Sequence, residues 1–312
     1  MGLEIKGLSV EYTNGDKKVH ALENITFEIK DGESVGIAGE SACGKSTLGL
    51  TIIRSLNGGN ATAGYVYVDG EQILFMPERE FDSKYRWKKI SMVFQAAASS
   101  LDPVFSVAAQ FEQILDIHGF KGNKKKLVAR SLESVGLESD ILEKFPHELS
   151  GGMKQRVVIA MAAILKPSII IVDEPTTALD VILQAQIVNL FKDLKKQNIS
   201  ILFITHDLAI LSEIADKIGI MYAGQMVEFG NLQDIYENPL HPYTVGLLKS
   251  VPTLGGEKPK FISGTPPNLS NPPIGCRFAN RCEYVMEKCS KDPLEFHTKS
   301  GFVKCWLYDP KK

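Results

Sequence analysis

Long hydrophobic runs are missing from this chain of 312 residues. The longest apolar stretch extends from Val157 to Leu165 and ends at Lys166, so it is far shorter than the ~20 residues that cross a bilayer as a helix. The N-terminal residues Met1 to Lys6 also lack the cationic segment and the apolar stretch of a secretory signal. We therefore expect a cytoplasmic protein that does not itself span a membrane.

An excess of charge of either sign is also missing. Lys and Arg number 35 against 37 Asp and Glu, which leaves a formal net charge of -2. Proteins that bind along nucleic-acid phosphates usually carry a basic surplus, so we expect no nucleic-acid partner. The hydrophobic fraction of 44% and the charged fraction of 23% are those of an ordinary globular protein, whose length fits one large domain or two.

Prolines and cysteines are few in the first three quarters of the chain and frequent near its end. Ten of the 15 prolines lie from Pro239 onward, and four of the five cysteines lie from Cys276 onward. Proline restricts φ and removes a backbone donor, so regular structure should be sparse there. We predict a main domain over residues 1–235 and a small irregular C-terminal extension over residues 236–312.

Short β-rich runs alternate with helical apolar spacing before that boundary, which predicts an α/β fold. Residues 34–38, 169–172 and 201–204 have the apolar composition of strands buried on both faces of a parallel sheet. Residues 106–148 instead predict two helices without a strand between them, hence an inserted helical subdomain at about residues 100–150. Three consecutive lysines at 124–126 are interpreted as the solvated start of an amphipathic helix, in preference to a phosphate-binding patch.

A phosphate-binding loop follows the first of these strands. Residues 39–47 contain two glycines separated by four residues and followed by Lys and Ser, the pattern that cradles phosphates at the start of a helix. Lys45 supplies a positive charge and the Ser46 hydroxyl suits Mg²⁺. The predicted nucleotide-binding residues of the loop are Gly39, Ser41, Ala42, Cys43, Gly44, Lys45, Ser46 and Thr47.

Two adjacent carboxylates, Asp173 and Glu174, end the second predicted strand. Ligands of open α/β sheets bind beyond the carboxyl ends of the strands, so these groups are expected near the phosphates. Adjacent strand positions point in opposite directions, which allows Asp173 to hold Mg²⁺ while Glu174 faces an attacking water. Taken alone, the pair is equally consistent with a loop start or a helix cap.

Further motifs occur in the order seen in ABC-type ATPases, which the chain resembles over about residues 3–235. They are Gln95 after Val93-Phe94, Leu149 to Arg156, Asp173-Glu174-Pro175, Ala178-Leu179-Asp180 and Ile204 to Asp207. The resemblance implies a P-loop ABC-type nucleotide-binding domain with a mostly parallel sheet, an N-terminal β subdomain and the inserted helical subdomain.

The resemblance also implies a role for each motif. It implies ATP and Mg²⁺ as ligands, with Tyr12 on the adenine, Ser46, Gln95 and Asp173 at the Mg²⁺, and Glu174, His206 and Gln95 as catalytic groups. It implies a dimer that clamps ATP through Ser150, Gly151, Gly152, Gln155 and Asp180. Ser150 to Gly152 also precede the apolar stretch from Val157, which predicts that they form the N-terminal cap of a helix. Two departures stand out, Ala42 where glycine is usual and three alanines at 96–98 after Gln95. A positive φ at Ala42 would cost about 1 kcal/mol.

The cysteines of the extension have the composition of a metal site. Cys276, Cys282, Cys289 and Cys305 cluster in a chain expected in a reducing compartment, which favours a metal over disulfides. Their spacing lacks the close pairs of structural zinc sites, so an iron–sulfur cluster held by four thiolates fits better than Zn²⁺. We expect it to act as a structural clip, while Cys43 is a small filler.

The C-terminal extension indicates which group of ABC-type ATPases the chain resembles. Asn238 to Thr244 and Gly275 to Cys282 look like the C-terminal extension of ATPase subunits from oligopeptide, dipeptide and nickel importers, some of which carry a four-iron four-sulfur cluster. The resemblance thus implies such a cluster here, with Zn²⁺ or an empty thiol site as alternatives. The implied function is to power import, with peptides as the first cargo and nickel or oligosaccharides as alternatives.

Implied partners are a second, paralogous ATPase in a heterodimer, two membrane permeases and, indirectly, an extracellular solute-binding protein. The implied location is peripheral, at the cytoplasmic face of the membrane. Rival hypotheses are an ABC ATPase that acts on nucleic acid or ribosomes, and a redox sensor.

Overall fold

The computed structural model describes residues 2–15, 17–95, 99–177, 179–251 and 258–310. Its strands are β1 (Gly2–Asn14), β2 (Lys17–Lys30), β3 (Ser34–Ala38), β4 (Gly59–Val68), β5 (Glu71–Gln72), β6 (Ile90–Val93), β7 (Ile169–Asp173), β8 (Ser200–Ile204), β9 (Lys217–Tyr222), β10 (Gln225–Asn231), β11 (Phe296–His297) and β12 (Phe302–Val303). Its α-helices are α1 (Lys45–Ile52), α2 (Glu78–Lys84), α3 (Val107–Ile117), α4 (Lys124–Ser134), α5 (Gly151–Ala163), α6 (Val181–Lys196), α7 (Leu208–Ile214), α8 (Leu232–Glu237) and α9 (Pro242–Lys249). Among the described residues, none of these helices has both the length and the apolarity needed to cross a bilayer.

The chain divides into two compact units. We call residues 1–2, 30–33 and 75–203 the helical unit, and residues 3–29, 34–74 and 204–312 the sheet unit. The predicted extension, residues 236–312, belongs to the sheet unit together with the strands that precede it. The predicted domain boundary at residue 235 therefore stays a prediction.

The helical unit combines buried strands with the predicted helical insert. Strand β7 lies between β6 and β8, and it runs parallel to β6 with Ile90 opposite Ile169. All five residues of β7 are buried, which confirms the strand that its apolar run predicted. The insert contains α3 and α4, which begin where Ser106 and Asn123 each accept a hydrogen bond from a backbone N–H of the first turn.

The three consecutive lysines lie at the start of α4, as their interpretation requires. Lys125 and Lys126 in the first turn are exposed, whereas Val128 and Leu132 further along the helix are buried. Lys124 forms an ion pair with Asp116 at the end of α3. This is the arrangement of a solvated helix start over an apolar face.

The sheet unit contains two groups of strands. One has the order β2-β1-β4-β5, in which β1 and β4 are antiparallel, and it corresponds to the predicted N-terminal β subdomain. The other has the order β11-β12-β10-β9-β3, in which β3 and β9 are parallel. All of β3 is buried, as expected for the strand that leads into the phosphate-binding loop.

The C-terminal extension adds regular structure that its proline content did not predict. Helix α9 begins at Pro242, where the missing N–H of proline costs nothing because first-turn donors have no helical partner. Strand β12 pairs with β10, with Val303 opposite Glu228 and Phe302 opposite Phe229. The extension is therefore joined to the rest of the sheet unit by backbone hydrogen bonds as well as by side chains.

Candidate nucleotide site and cysteine pocket

The phosphate-binding loop of the sheet unit has a backbone that two of its glycines make possible. Gly39 has φ 153° and Gly44 has φ 103°. A Cβ on Gly39 would lie 2.1 Å from the Met221 carbonyl oxygen, and one on Gly44 would lie 2.4 Å from the Ala21 carbonyl oxygen. Both glycines are therefore required by close backbone approach as well as by conformation.

Ala42 and Cys43 complete the turn between these glycines. Ala42 has φ 61°, in the left-handed region, which costs about 1 kcal/mol relative to glycine. Cys43 is buried, and burial raises the pKa of its thiol. The thiol is thus neutral and fills space, as the sequence predicted.

Lys45 opens α1 and places its charge inside the loop. Its Nζ donates hydrogen bonds to the carbonyl oxygens of Gly39 at 2.8 Å and Glu40 at 2.9 Å. Ser46 and Thr47 follow in the first turn of the same helix. A buried ammonium group beside a helix N-terminus is an arrangement that attracts phosphate.

Tyr12 and His206 lie in the same unit as the loop. The Tyr12 ring packs against Gly59, and its hydroxyl lies 3.5 Å from the Thr47 hydroxyl of the loop. His206 is exposed directly after β8, where the preceding Thr205 N–H donates to the carbonyl oxygen of Ile37 in β3. Both predicted residues are thus tied to the segments that carry the loop, while their contacts with a nucleotide stay predictions.

The paired carboxylates lie at the end of β7 in the helical unit. Asp173 is the last strand residue and is 3% exposed. Glu174 lies beyond the strand with φ 48°, and its carboxylate accepts a hydrogen bond from the Thr177 hydroxyl at 3.4 Å. The direction of Glu174 is therefore set by a left-handed turn, so the alternation of strand positions does not determine it.

Gln95 is exposed two residues after β6 ends at Val93. It also belongs to the helical unit. The three alanines at 96–98, noted as a departure from the family pattern, lie outside the described residues, as does Ala178.

The motif from Leu149 to Arg156 contains the beginning of α5, as predicted. The Ser150 hydroxyl accepts a hydrogen bond from the Met153 N–H at 3.3 Å and caps the helix. Gly151 faces open space, whereas Gly152 faces Leu183 of α6, 3.1 Å from where a Cβ would lie. Gln155 is buried one turn further along. Ser150 and Gly151 are thus the accessible members of the motif.

Asp180 is exposed and caps α6. Its carboxylate accepts a hydrogen bond from the Leu183 N–H at 2.9 Å. The next two residues, Val181 and Ile182, are 79% and 72% exposed despite their apolar side chains. This corner of the helical unit therefore presents a small uncovered apolar surface.

The four cysteines of the extension line one pocket of the sheet unit, together with His241 and several aromatic side chains. The Cys276 N–H donates to the Cys289 carbonyl oxygen at 2.9 Å, which joins two of the cysteine segments. The Tyr284 N–H donates to the Cys282 Sγ at 3.3 Å. Burial raises the pKa of Cys276 to about 11 and also raises the pKa of Cys282, so these thiols are protonated at neutral pH.

The thiols are brought together, but a metal cluster is not thereby shown. In the part of the chain that the structure describes, no group of three or more His, Cys, Asp or Glu side chains is arranged to hold a metal ion as it stands. The chemistry of the donor set nonetheless fits an iron–sulfur cluster, since four sulfur atoms surround one small pocket and an N–H already points at one of them.

Two buried arginines beside these cysteines were not identified from the sequence. Arg281 forms a two-point ion pair with Glu40 in the phosphate-binding loop. Arg277 donates to the Ala223 carbonyl oxygen and pairs with Glu23. Their only sequence signal is their place inside the Gly275 to Cys282 segment, next to cysteines.

Comparisons with known proteins agree with both parts of the chain. The model of the family "ABC transporter" matches residues 22–177, and that of the family "Oligopeptide/dipeptide transporter, C-terminal region" matches residues 227–289. The chain is 40% identical to the dipeptide transport ATP-binding protein DppD of Caldanaerobacter subterraneus, with 98% of this chain and 97% of that protein covered. It is 41% identical to the oligopeptide transport ATP-binding protein OppD of Escherichia coli, with coverages of 97% and 92%.

Solved structures support the same fold. A dimeric post-hydrolysis state of the ATP-binding cassette MJ0796, bound to ADP and Pi, superposes with a TM-score of 0.66 at 30% identity. The match covers 74% of this chain and 98% of that one. The predicted P-loop fold class is therefore confirmed.

Proposed function

This chain belongs to the ABC transporter family of ATP-binding proteins, and on that premise we propose that it is the ATP-hydrolysing subunit of an importer for dipeptides or oligopeptides. The observation that carries the ATPase role is the phosphate-binding loop, with Lys45 held inside a backbone that only glycine permits at two positions. The match of residues 227–289 to the peptide-transporter region supports peptide as the cargo class. An extracellular solute-binding protein would select the individual peptide.

In the sheet unit, we assign phosphate binding to the loop. Lys45 and the N-terminus of α1 neutralise the phosphate oxygens, Tyr12 stacks on the adenine and His206 contacts the γ-phosphate. Ser46 offers a hydroxyl oxygen to Mg²⁺, a ligand type that this ion prefers.

In the helical unit, we assign Asp173 and Gln95 to the Mg²⁺ and Glu174 to the attacking water. Mg²⁺ supplies charge neutralisation on the phosphates when bound. Glu174 takes a proton from the water, whose oxygen bonds to the γ-phosphorus as the bond from the γ-phosphorus to the oxygen retained by ADP breaks, and the proton then passes to solvent. The products are ADP and inorganic phosphate.

Replacing Glu174 by glutamine tests this assignment. The variant should bind ATP with unchanged affinity but lose turnover by about a hundredfold or more, since general-base catalysis contributes that much. Glu133→Gln on exposed α4 is the matched control and should behave as wild type. Wild-type turnover in the Glu174 variant would contradict the assignment.

We further propose that ATP is clamped by a second, paralogous ATPase. The exposed N-terminus of α5, with Ser150 and Gly151, is suited to a phosphate held by the partner, and the exposed Val181 and Ile182 beside Asp180 are suited to a protein contact. Light scattering of purified Glu174→Gln chain with ATP should report a monomer until the second ATPase is added. A nucleotide-dependent homodimer whose wild-type form hydrolyses ATP fully would contradict the heterodimer.

Two membrane permeases are the proposed anchors at the cytoplasmic face of the membrane. The helical unit has a groove of about 710 Å³ beside α2 and α3, lined by Trp87, Ile114, Ile117 and cationic residues including Arg79 and Lys88. Ile117 is 75% exposed at the end of α3, which is suited to an apolar side chain from a cytoplasmic permease segment.

The docking proposal is tested by co-purification. Ile117→Glu should abolish co-purification with the permeases and leave ATP affinity unchanged. Ile274→Glu changes an isoleucine of the sheet unit that is even more exposed, at 95%, and should co-purify normally. Normal recovery of permeases with the Ile117 variant would refute docking in this groove.

A four-iron four-sulfur cluster on Cys276, Cys282, Cys289 and Cys305 is the last part of the proposal. Four thiols line one pocket, and cluster binding would release protons because burial keeps the pKa of Cys276 high. Anaerobically purified protein should contain iron and acid-labile sulfide in near-equal amounts. Zinc without iron would instead identify a Zn²⁺ site and refute the cluster.

A further inference from the structure

Arg281 of the C-terminal extension holds the side chain of a phosphate-loop residue. Its two terminal nitrogens donate to the two carboxylate oxygens of Glu40, at 2.8 and 3.0 Å. Glu40 is the second residue of the loop, and the Arg281 side chain is only 6% exposed. A two-point arginine–carboxylate pair restrains orientation as well as distance, and its partial burial, with the Glu40 side chain 26% exposed, strengthens it.

The arginine is itself immobilised by contacts with the extension and with Tyr222 of β9. Its Nε donates to the Ser263 carbonyl oxygen at 2.9 Å, and its guanidinium lies 5.7 Å from the centre of the Tyr222 ring and 5.9 Å from that of Phe278. A second extension residue, Tyr243 of α9, accepts a hydrogen bond from the Glu40 N–H at 2.8 Å. Glu40 is thus held at both its backbone and its side chain.

Holding Glu40 also determines the position of the loop's positive charge. The Glu40 carbonyl oxygen accepts a hydrogen bond from Lys45 Nζ at 2.9 Å. Two residues further along, Ala42 adopts a left-handed conformation that an L-residue maintains only when its surroundings enforce it. The contacts from the extension supply such a restraint on the loop.

A parallel connection starts from Arg277. This arginine follows Cys276, and it donates to the Ala223 carbonyl oxygen. Gly224, which follows Ala223 in the chain, donates its N–H to the Cys43 carbonyl oxygen of the loop at 3.0 Å. Both arginines therefore connect a cysteine segment of the pocket to the loop.

We propose that Arg281 is a positioning residue of the nucleotide site, through which the C-terminal extension keeps the phosphate-binding loop in the conformation that binds ATP. The inference rests on the proposed function of that loop. It assigns the extension a role in ATP affinity, beyond that of a structural clip.

The experiment compares variants of the full chain. Binding is measured with an ATP analogue that carries a fluorescent N-methylanthraniloyl group, and KM and kcat are measured for ATP in the assembled transporter. Arg281→Met should weaken analogue binding and raise KM about tenfold, with kcat within about twofold, because the loop is mispositioned before ATP binds. Arg281→Lys should be intermediate, since lysine cannot form the two-point pair.

Lys288→Met is the matched control. Lys288 also adjoins a pocket cysteine, Cys289, and forms an ion pair with Asp309, yet its pair stays within the extension. This control should bind the analogue as wild type does. A loss of affinity equal to that of Arg281→Met would overturn the proposal, because it would indicate general loosening of the extension.

A second variant covers the case in which Arg281→Met fails to fold. Glu40→Gln removes the same ion pair from the other side, and the double variant should bind no more weakly than the weaker single variant. Wild-type affinity in Arg281→Met or in Glu40→Gln would overturn the positioning role alone. Absence of analogue binding in the wild-type chain would overturn the proposed function and this inference together.

Discussion

Replacing His241 by asparagine should remove a loss of stability that the wild-type chain undergoes as the pH falls. His241 is 1% exposed at the start of α9 and lines the cysteine pocket. Burial lowers the pKa of its imidazole from 6.5 to about 3. Its Nδ1 accepts a hydrogen bond from the Tyr243 N–H at 3.0 Å, which only the neutral ring can do.

The direction of this pH effect follows from the difference in proton binding between the folded and the unfolded chain. Below about pH 6.5 the unfolded chain protonates this histidine and the folded chain does not, so the free energy of unfolding decreases as the pH falls toward 3. At pH 5.5 the unfolded state gains about 1.4 kcal/mol in this way, against about 0.1 kcal/mol at pH 7.5. Asparagine removes the titration and keeps a side-chain acceptor for the helix cap.

Urea unfolding at pH 7.5 and 5.5 measures the difference. Between these values wild type should lose about 1.3 kcal/mol more stability than His241→Asn, because the other titrating groups are common to both proteins. Among them is the buried Glu228, whose carboxylate accepts a hydrogen bond from the backbone N–H of His241 at 2.9 Å. NMR of labelled histidines should show one resonance, absent from the variant, that does not titrate between pH 8 and 5. Equal losses of stability, or a His241 resonance with a midpoint near 6.5, would refute the reasoning.

Four further substitutions test the loop and the helical insert. Ala42→Gly should raise the free energy of unfolding by about 0.5 to 1 kcal/mol by relieving its positive φ, and a decrease in urea unfolding would speak against strain there. Gly39→Ala would place a Cβ 2.1 Å from the Met221 carbonyl oxygen and should abolish binding of the fluorescent ATP analogue, whereas retained affinity would show that the loop tolerates a side chain. Lys126→Glu should change stability by less than about 0.5 kcal/mol, while Val128→Ala on the buried face of α4 should cost about 1.5 kcal/mol or more, and equal effects would be inconsistent with an amphipathic helix.

Local patterns predicted the features that depend on residues close together in the chain. The buried strands, the two helices of the insert and the helix start at Ser150 follow from apolar periodicity and capping chemistry, which act over a few residues. The glycines of the phosphate loop were predicted because the backbone approaches phosphate closely only where the residues are glycines, and this requirement fixes their spacing in the sequence. At Ala42, by contrast, the sequence showed only a departure from the family pattern, and the structure supplied the positive φ of 61°.

The tertiary structure decided what depends on residues far apart. The contact between Arg281 and Glu40 joins positions 241 residues apart, and no periodicity relates them. The pairing of β12 with β10 and the common pocket of the four cysteines likewise arise only once the extension has packed on the rest of the sheet unit. Sequence spacing therefore determined the chemistry available at each motif, whereas long-range packing determined which motifs of the sheet unit act on one another, because a contact between distant residues is selected by the whole folded core.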